Sequence, residues 1–222
     1  MVATGTEIDS AGPSGEPRAS AVTFITTEHF TLQGARAATI AESTARASMF
    51  LLSVSGGLVA LGLVATATGI SDAFFAFVLV LLPTLAVVGF ATFDRTLQSG
   101  VEDLGYARRI ARLRAYYFDN APELSGYLLS VPPTQRLAVM GLRGGYGQSL
   151  RTVAGMVAVI TAVLTGAEVG LAIAAGVDAP GASFASGGLV ALAVLVALMR
   201  YQRSTWEAAY RAPIFEDKSL AA

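Results

Sequence analysis

Long apolar runs alternate with polar segments along this chain, and four of the runs are long enough to cross a lipid bilayer. A membrane core is about 30 Å thick, which about 20 helical residues span. The four apolar windows, none of which contains Lys or Arg, lie at about 47–69, 73–93, 152–176 and 183–199. The pattern therefore predicts an all-α integral membrane protein with four transmembrane helices arranged as two hairpins.

The segment before span one predicts a helical extension. Thr26 and Thr27 followed by Glu28 have the pattern of a helix start, and no Pro interrupts the chain from there into span one. Residues 1–25 are rich in Gly, Pro, Ser and Ala without apolar periodicity, so a disordered tail is expected there. These first residues also lack the basic and apolar regions of a secretory signal.

A second helical extension is predicted after span two, because apolar residues recur there at close to 3.5-residue spacing. The helix should end near Asn120, since the position before Pro122 disfavours continuation. We call the recurring positions the stem seam: Leu97, Val101, Leu104, Ala107, Ile110 or Ala111, Leu113 and Tyr117. The seam can pack within the chain or form a coiled coil with another copy.

The rest of the chain divides into three parts. A connector at 121–151 contains Pro132-Pro133 and a Gly cluster. The second hairpin, 152–211, ends in an interfacial helix with Tyr201, Trp206 and Tyr210, which are typical anchors at a membrane surface. Residues 212–222 form a C-terminal tail.

Basic residues predict the orientation. All 15 Lys and Arg lie before span one, between spans two and three, or after span four, and the two short turns hold none. Cytoplasmic segments retain Lys and Arg during insertion. Both termini and the middle segment are therefore expected in the cytoplasm, with the protein in a bacterial inner membrane.

Composition narrows the function classes. The chain is 54% hydrophobic and only 14% charged, with a mean hydropathy of +0.59 and a net charge of −1. This balance argues against a nucleic-acid binder. With no Cys and one His, the chain offers no disulfide and no His or Cys metal cluster. No cofactor or metal is expected.

No catalytic residues are predicted. An enzyme acting on lipid would need convergent acid, base or metal groups near the interface. The only candidates are His29, Asp94, Glu102 and Asp103, and they have no motif spacing. Solvated charges on the stem explain them more simply, so the sequence indicates a non-enzymatic protein.

Span three carries small residues at every fourth position, which lets helix backbones approach closely. Gly166 and Gly170 form a GxxxG motif, and Ala162 precedes them by one step. The partner of this face is left open. It can be span one with Gly57, span four with Gly187, or another protomer, and a homo-oligomer is expected.

Glu168 is the only acidic residue well inside a span. A carboxylate is costly there, so it should face protein or water. Thr161 and Thr165 precede it on the same side of the helix and complete a candidate polar site. The hypotheses are a proton or ion site, an interhelical hydrogen bond, or a position near the outer interface.

The densest run of basic residues comprises Arg108, Arg109, Arg112 and Arg114. Arginines near the inner leaflet attract anionic lipid head groups at about 1 kcal/mol each. The alternative is a solvated face that enforces the topology. This part of the chain is also a candidate docking surface for a cytoplasmic protein.

Two segments beside the first hairpin carry a resemblance. EHFTLQGARAATIAESTARAS and VEDLGYARRIARLRAYY resemble a group of uncharacterised actinobacterial membrane proteins, over roughly the first half of the chain. That resemblance implies no established activity. The architecture is also loosely similar to two-span effectors of bacterial conflict systems, which implies pore formation, although the second hairpin departs from that plan.

The sequence thus predicts a membrane protein without a named reaction. We expect a non-enzymatic component, with an oligomeric pore or channel lined by Ser, Thr and Glu168 as the first hypothesis. A proton-coupled transporter that uses Glu168 is one alternative. A membrane scaffold or signalling protein that docks a partner through the stem is the other.

Overall fold

The computed structural model describes residues 16–120, 150–176 and 180–213, which form four α-helices. Each helix is long and apolar enough to cross a membrane. In chain order they are α1 (Glu16–Thr68), α2 (Asp72–Asn120), α3 (Val153–Gly176) and α4 (Pro180–Arg211). The predicted all-α fold with four spans in two hairpins is confirmed.

The first hairpin turns within three residues. Gly69 has a φ of +65°, which a residue without a Cβ adopts at no steric cost. Asp72 then stands in the first turn of α2, where a negative charge is favourable beside the free backbone N–H groups. The turn of the second hairpin includes residues 177–179, which lie outside the described residues.

The four helices form a row in chain order. Extensive contacts join α1 to α2, α2 to α3 and α3 to α4, while the other pairs touch only locally. We compared the buried share of the most apolar window of each helix. It is 28% for α2 and 33% for α3, but only 11% for α1 and 17% for α4. The row therefore has two central helices and two edge helices whose apolar faces remain available to lipid.

The core lies where side chains of all four helices meet. Phe50 of α1, Leu82 and Phe93 of α2, Val157 of α3 and Met199 of α4 are all buried in one cluster. Burying a side chain of this size contributes about 1.5–3 kcal/mol in water. Within a bilayer the same contacts stabilise through close packing, because lipid tails are as apolar as the side chains.

Helix α1 begins earlier than the sequence predicts. Residues 16–25, expected to be disordered, form its first turns. Pro17 is tolerated there because the first turn has no intrahelical partner for its missing N–H, and no further Pro or Gly follows until Gly34. The predicted cap is also wrong. The hydroxyls of Thr26 and Thr27 donate to backbone carbonyls four residues earlier, as they do inside a helix.

Helix α2 continues past span two as predicted and is described as far as Asn120, so its predicted end borders residues outside the described part. Leu97, Leu104 and Ile110 of the stem seam are 1–3% exposed, so the seam packs within the chain. We define the stem as residues 21–46 of α1 and 94–117 of α2. The two helices have 53 and 49 residues, which correspond to lengths of about 80 Å and about 73 Å.

The first helix of the second hairpin begins where it is predicted, at Val153, while the start of α4 and the end of the hairpin differ from their predictions. Thr152 caps α3 by accepting a hydrogen bond from the Gly155 backbone N–H at 3.0 Å, and α4 begins at Pro180 instead of near 183. No separate interfacial helix follows span four in the described part, because α4 continues unbroken to Arg211. Residues 1–15, the connector at 121–149 and the tail from 214 onward lie outside the described residues.

Candidate functional site

The small residues of span three form the contact between α3 and α4. A Cβ added to Gly166 would lie 2.5 Å from the Gly187 carbonyl oxygen and 2.6 Å from the Ala191 Cβ. A Cβ added to Gly170 would lie 3.0 Å from the Ser183 carbonyl oxygen. Of the three partners that the sequence leaves open, span four is therefore the one this face contacts.

The other two predicted packing residues are also used within the chain. A Cβ on Gly57 would lie 2.9 Å from Leu85 Cδ1, so this glycine lets α1 approach α2. Ala162 is 1% exposed. All five candidate packing residues thus take part in internal contacts or burial, which leaves none of them exposed for a second protomer.

The hydroxyl groups of the two threonines in the proposed polar site donate their hydrogen bonds to backbone carbonyls of their own helix. Thr161 is fully buried and donates to the Val157 carbonyl at 2.8 Å, and Thr165 donates to the Thr161 carbonyl at 2.9 Å. Thr161 also contacts α2 at Gly89, where an added Cβ would collide with its hydroxyl and would lie 3.1 Å from Phe50 Cζ. This threonine fills the point where α1, α2 and α3 meet.

Glu168 is half-buried on α3, two turns beyond Thr161. In the described part of the chain no hydrogen bond joins its carboxyl to either threonine or to a neighbouring helix. The three polar residues share a side of the helix without forming one connected site. Glu168 is left as a single carboxyl inside a predicted span.

A groove of about 470 Å³ lies between α3 and α4. Its lining is apolar or small and includes Val163, Leu171 and the 84%-exposed Phe184. Ser183 contributes the only hydroxyl among the described lining residues, and Glu168 is not among them. The described part of this lining suits hydrocarbon.

The four arginines of the basic run have different environments. Arg108 Nη1 donates to the carbonyl oxygens of Ala209 and Ala212, each at 3.1 Å. It thereby satisfies carbonyls at the end of α4, where a positive charge is favourable. Arg109 and Arg112 are exposed and Arg114 is half-buried.

The contact of these arginines with lipid stays a prediction, and it depends on their distance from the membrane along α2. The helix continues unbroken from Phe93, at the end of span two, to Arg108, which is about 22 Å at about 1.5 Å per residue. Attraction to a charged leaflet falls off within a Debye length, about 8 Å at physiological salt. The arginines belong to the stem, and at least one of them serves the packing of α4.

Ion pairs and hydrogen bonds join the two helices of the stem along its length. Arg36 Nε lies 2.6 Å from Asp103 Oδ1, and Arg95 Nη2 lies 3.3 Å from Glu42 Oε1. At the far end the hydroxyls of Thr26 and Tyr117 are 3.2 Å apart. These contacts fix the register of α1 against α2 outside the apolar spans.

Hydrogen bonds from Arg46 and Arg95 lower the pKa of the Glu42 carboxyl below its ordinary value of 4.5. Arg203 has the same effect on the pKa of Glu207, further along α4. Both carboxyls are partly exposed to water, so the effect is electrostatic and sensitive to salt. Sequence reasoning missed the pairs that join α1 to α2, Glu42–Arg95 and Arg36–Asp103, because their members are 53 and 67 residues apart.

The extension of α4 packs against α2 and α3. A Cβ on Gly100 would lie 3.1 Å from Trp206 Cζ2, and Tyr201 Oη lies 3.3 Å from Asp94 Oδ1. Gln202 is fully buried and donates to the Thr152 hydroxyl at 3.1 Å. Two of the three residues predicted as interfacial anchors thus contact neighbouring helices.

The possible catalytic groups are not brought together. Asp103 pairs with Arg36, and Asp94 accepts hydrogen bonds from Gln98 and Tyr201. Within residues 16–120, 150–176 and 180–213, no group of three His, Asp or Glu side chains is arranged to hold a metal ion. Comparison of the whole chain with protein-family models, curated proteins and solved structures found no match.

Proposed function

We propose that this protein is a non-enzymatic membrane scaffold or signalling component whose stem docks a cytoplasmic protein. The continuity of α1 and α2 carries the proposal. Each helix runs without a break from an apolar span into the stem, and the pairs Arg36–Asp103 and Glu42–Arg95 join them there. Such a stem presents a defined surface well away from the bilayer.

The arrangement of the spans supports a scaffold over a pore formed by one copy. The helices form an open row, so the edge helices α1 and α4 do not close around a lumen. The hydroxyls of Thr161 and Thr165 are engaged by their own backbone instead of facing a shared channel. A pore would therefore require several copies.

The docking proposal is tested with a photo-crosslinking residue placed in the full-length protein in its native membrane. At Arg109 and at Glu102, which are exposed on the stem, we expect a discrete adduct with a second protein. The control position is Leu189, 68% exposed on the membrane-spanning part of α4, where lipid should be the main adduct. Adducts at Leu189 without any at Arg109 or Glu102 would overturn the proposal.

One observation favours a second candidate function, a proton or ion pathway through Glu168. A half-buried carboxyl inside a span, without a hydrogen-bonding partner among the described residues, is typical of transport sites. Purified protein in liposomes should then carry a pH-dependent flux that Glu168→Gln abolishes and Glu207→Gln preserves. Liposomes without flux would exclude this candidate and agree with the scaffold.

A further inference from the structure

Among the residues that the structure describes, one face of α1 has no packing partner from Thr27 to Gly62. Its positions are found by counting from Thr27 in alternating steps of three and four residues as far as Gly62. We call these positions the outer face of α1. Its first positions in each heptad are Thr27, Gly34, Ala41, Ser48, Ser55 and Gly62, all of them exposed. The second positions, from Phe30 to Leu58, are exposed as well. The buried residues Leu32, Thr39 and Phe50 lie on the opposite side, against the rest of the chain.

The outer face carries no charge, although its first part belongs to the stem. The exposed side of a helix in water normally carries charged residues. Here Arg36 and Glu42 are turned toward α2, where they pair with Asp103 and Arg95. Phe30 is instead 70% exposed and Ile40, which flanks the outer face, is 50% exposed. Apolar groups of this size in the aqueous phase indicate a surface that another protein covers.

The length of the face decides which partner fits it. From Thr27 to Gly62 it crosses both the stem and span one, as a single uncharged series. Lipid can cover only the part inside the bilayer, and a soluble protein only the part outside. A partner that covers both the stem part and the membrane part must itself be a helix with one part in water and the other in the membrane.

We infer that the outer face of α1 binds the α1 helix of a second copy, in parallel, to form a symmetric dimer. The α1 helix of a second copy has the same stem part and membrane-spanning part. It runs in the same direction because both copies insert into the membrane with the same orientation. Small residues at one position of every heptad allow the two backbones to approach closely. A sustained seven-residue repeat implies a left-handed supercoil of the pair.

The size of the face is sufficient for a specific dimer. A strip about 54 Å long and about 11 Å wide covers on the order of 600 Å² per copy, or about 1,200 Å² in total, the lower limit of stable interfaces. The small residues at 57, 166, 170 and 187 do not compete for this role, because they are used inside the chain. The inference does not depend on the proposed docking function of the stem.

Disulfide crosslinking tests the dimer directly, because the chain contains no Cys. Single variants Ala37→Cys and Ala41→Cys, oxidised in native membranes, should form covalent dimers. Glu102→Cys is the matched control, since it is exposed on α2 beside the Arg36–Asp103 pair and thus at the height of Ala37. Crosslinks at Glu102 with none at Ala37 and Ala41 would overturn the inference.

A second pair of variants separates dimerisation from folding. Neither Gly34 nor Gly105 has an atom within 4 Å of an added Cβ, so a larger side chain begins in open space at both positions. Gly34→Leu should weaken the dimer at least tenfold, measured as mass against concentration in detergent, while Gly105→Leu should leave it unchanged. A wild-type protein that stays monomeric would contradict the inference, whether lipid or another part of the same chain covers the face.

Discussion

Arg36 and Asp103 meet across the stem with two hydrogen bonds, Nε to Oδ1 at 2.6 Å and Nη2 to Oδ2 at 3.3 Å. The residues are 67 positions apart, and their side chains are 23% and 20% exposed. A two-point contact between a guanidinium and a carboxylate fixes both distance and orientation. This pair therefore sets the register between α1 and α2 beyond the membrane.

We expect the Arg36–Asp103 pair to contribute more to stability than a surface pair. A double-mutant cycle with Arg36→Ala and Asp103→Ala should give a coupling energy of about 1 kcal/mol or more, since the pair is mostly shielded from water. The Arg203–Glu207 pair, 57% and 47% exposed, is the control and should give a smaller coupling energy, because water screens it. Thermal unfolding of the full chain in detergent measures both. Equal coupling in the two cycles would contradict this role.

Adjacent glycines on α4 should respond in opposite ways to the same substitution. In Gly187→Ala the new Cβ would lie 2.7 Å from the Gly166 carbonyl oxygen, so α3 and α4 must separate at a cost of about 1–3 kcal/mol. At Gly188 nothing lies within 4 Å, and Gly188→Ala should be neutral or slightly stabilising. Unfolding of both variants in a denaturing detergent series tests the difference. A neutral Gly187→Ala would show that the two helices do not pack as described.

Removal of the Arg108 side chain should loosen the end of α4. Arg108→Gln leaves the carbonyls of Ala209 and Ala212 without their charged donor, at a cost of about 1 kcal/mol. Hydrogen exchange of the last turns of α4 should become faster, with little change in α3. The neighbouring Arg109 is exposed, so Arg109→Gln should leave the exchange pattern unchanged. Equal exchange in the two variants would contradict the capping role.

Acid should weaken the stem through Glu42. Hydrogen bonds from Arg46 and Arg95 lower the pKa of this carboxyl in the folded protein, so its contribution to stability is fully present above its ordinary pKa of 4.5. That contribution is lost as the pH falls through the lowered value, where Glu42 is protonated. Other carboxyls titrate in the same range, so the measurement is the difference between wild type and Glu42→Gln in stem hydrogen exchange. The difference should disappear at low pH, and a constant difference would contradict the assignment.

Sequence patterning predicted the spans well, because hydropathy is a local property that each window carries by itself. Helix ends were less predictable. Thr26 and Thr27 are residue types typical of a helix cap, yet the residues before them can also be helical. Thr26 also contacts Tyr117, which lies on another helix, and a local pattern does not contain that information. Apolar spacing predicted the buried seam at Leu97 and Leu104, but it did not name α1 as the partner of α2 in the stem.

The sequence allowed the individual residues of the candidate site to be predicted, but not whether they act together. The sequence identified Glu168 because a carboxylate in an apolar window is conspicuous, and it grouped Thr161 and Thr165 with it by helical spacing. Whether hydroxyls on one side of a helix act together depends on their hydrogen bonds. Both threonines are instead bonded to their own backbone. Likewise, the sequence placed Arg108 in a basic cluster, while its actual partners are 101 and 104 residues away.

The sequence by itself determined that four helices are apolar enough to span a membrane and that they form two hairpins. It also determined that every basic residue lies outside the spans. Only the tertiary structure decided that the helices form a row, that the glycines at 166 and 187 join α3 to α4, and that one side of α1 has no neighbour among the described residues. The physical reason is that lipid is as apolar as the helix surfaces, so hydrophobicity sends a helix into the membrane without selecting its neighbour. That choice depends on shape and on pairs such as Arg36 and Asp103, which only the folded chain brings together.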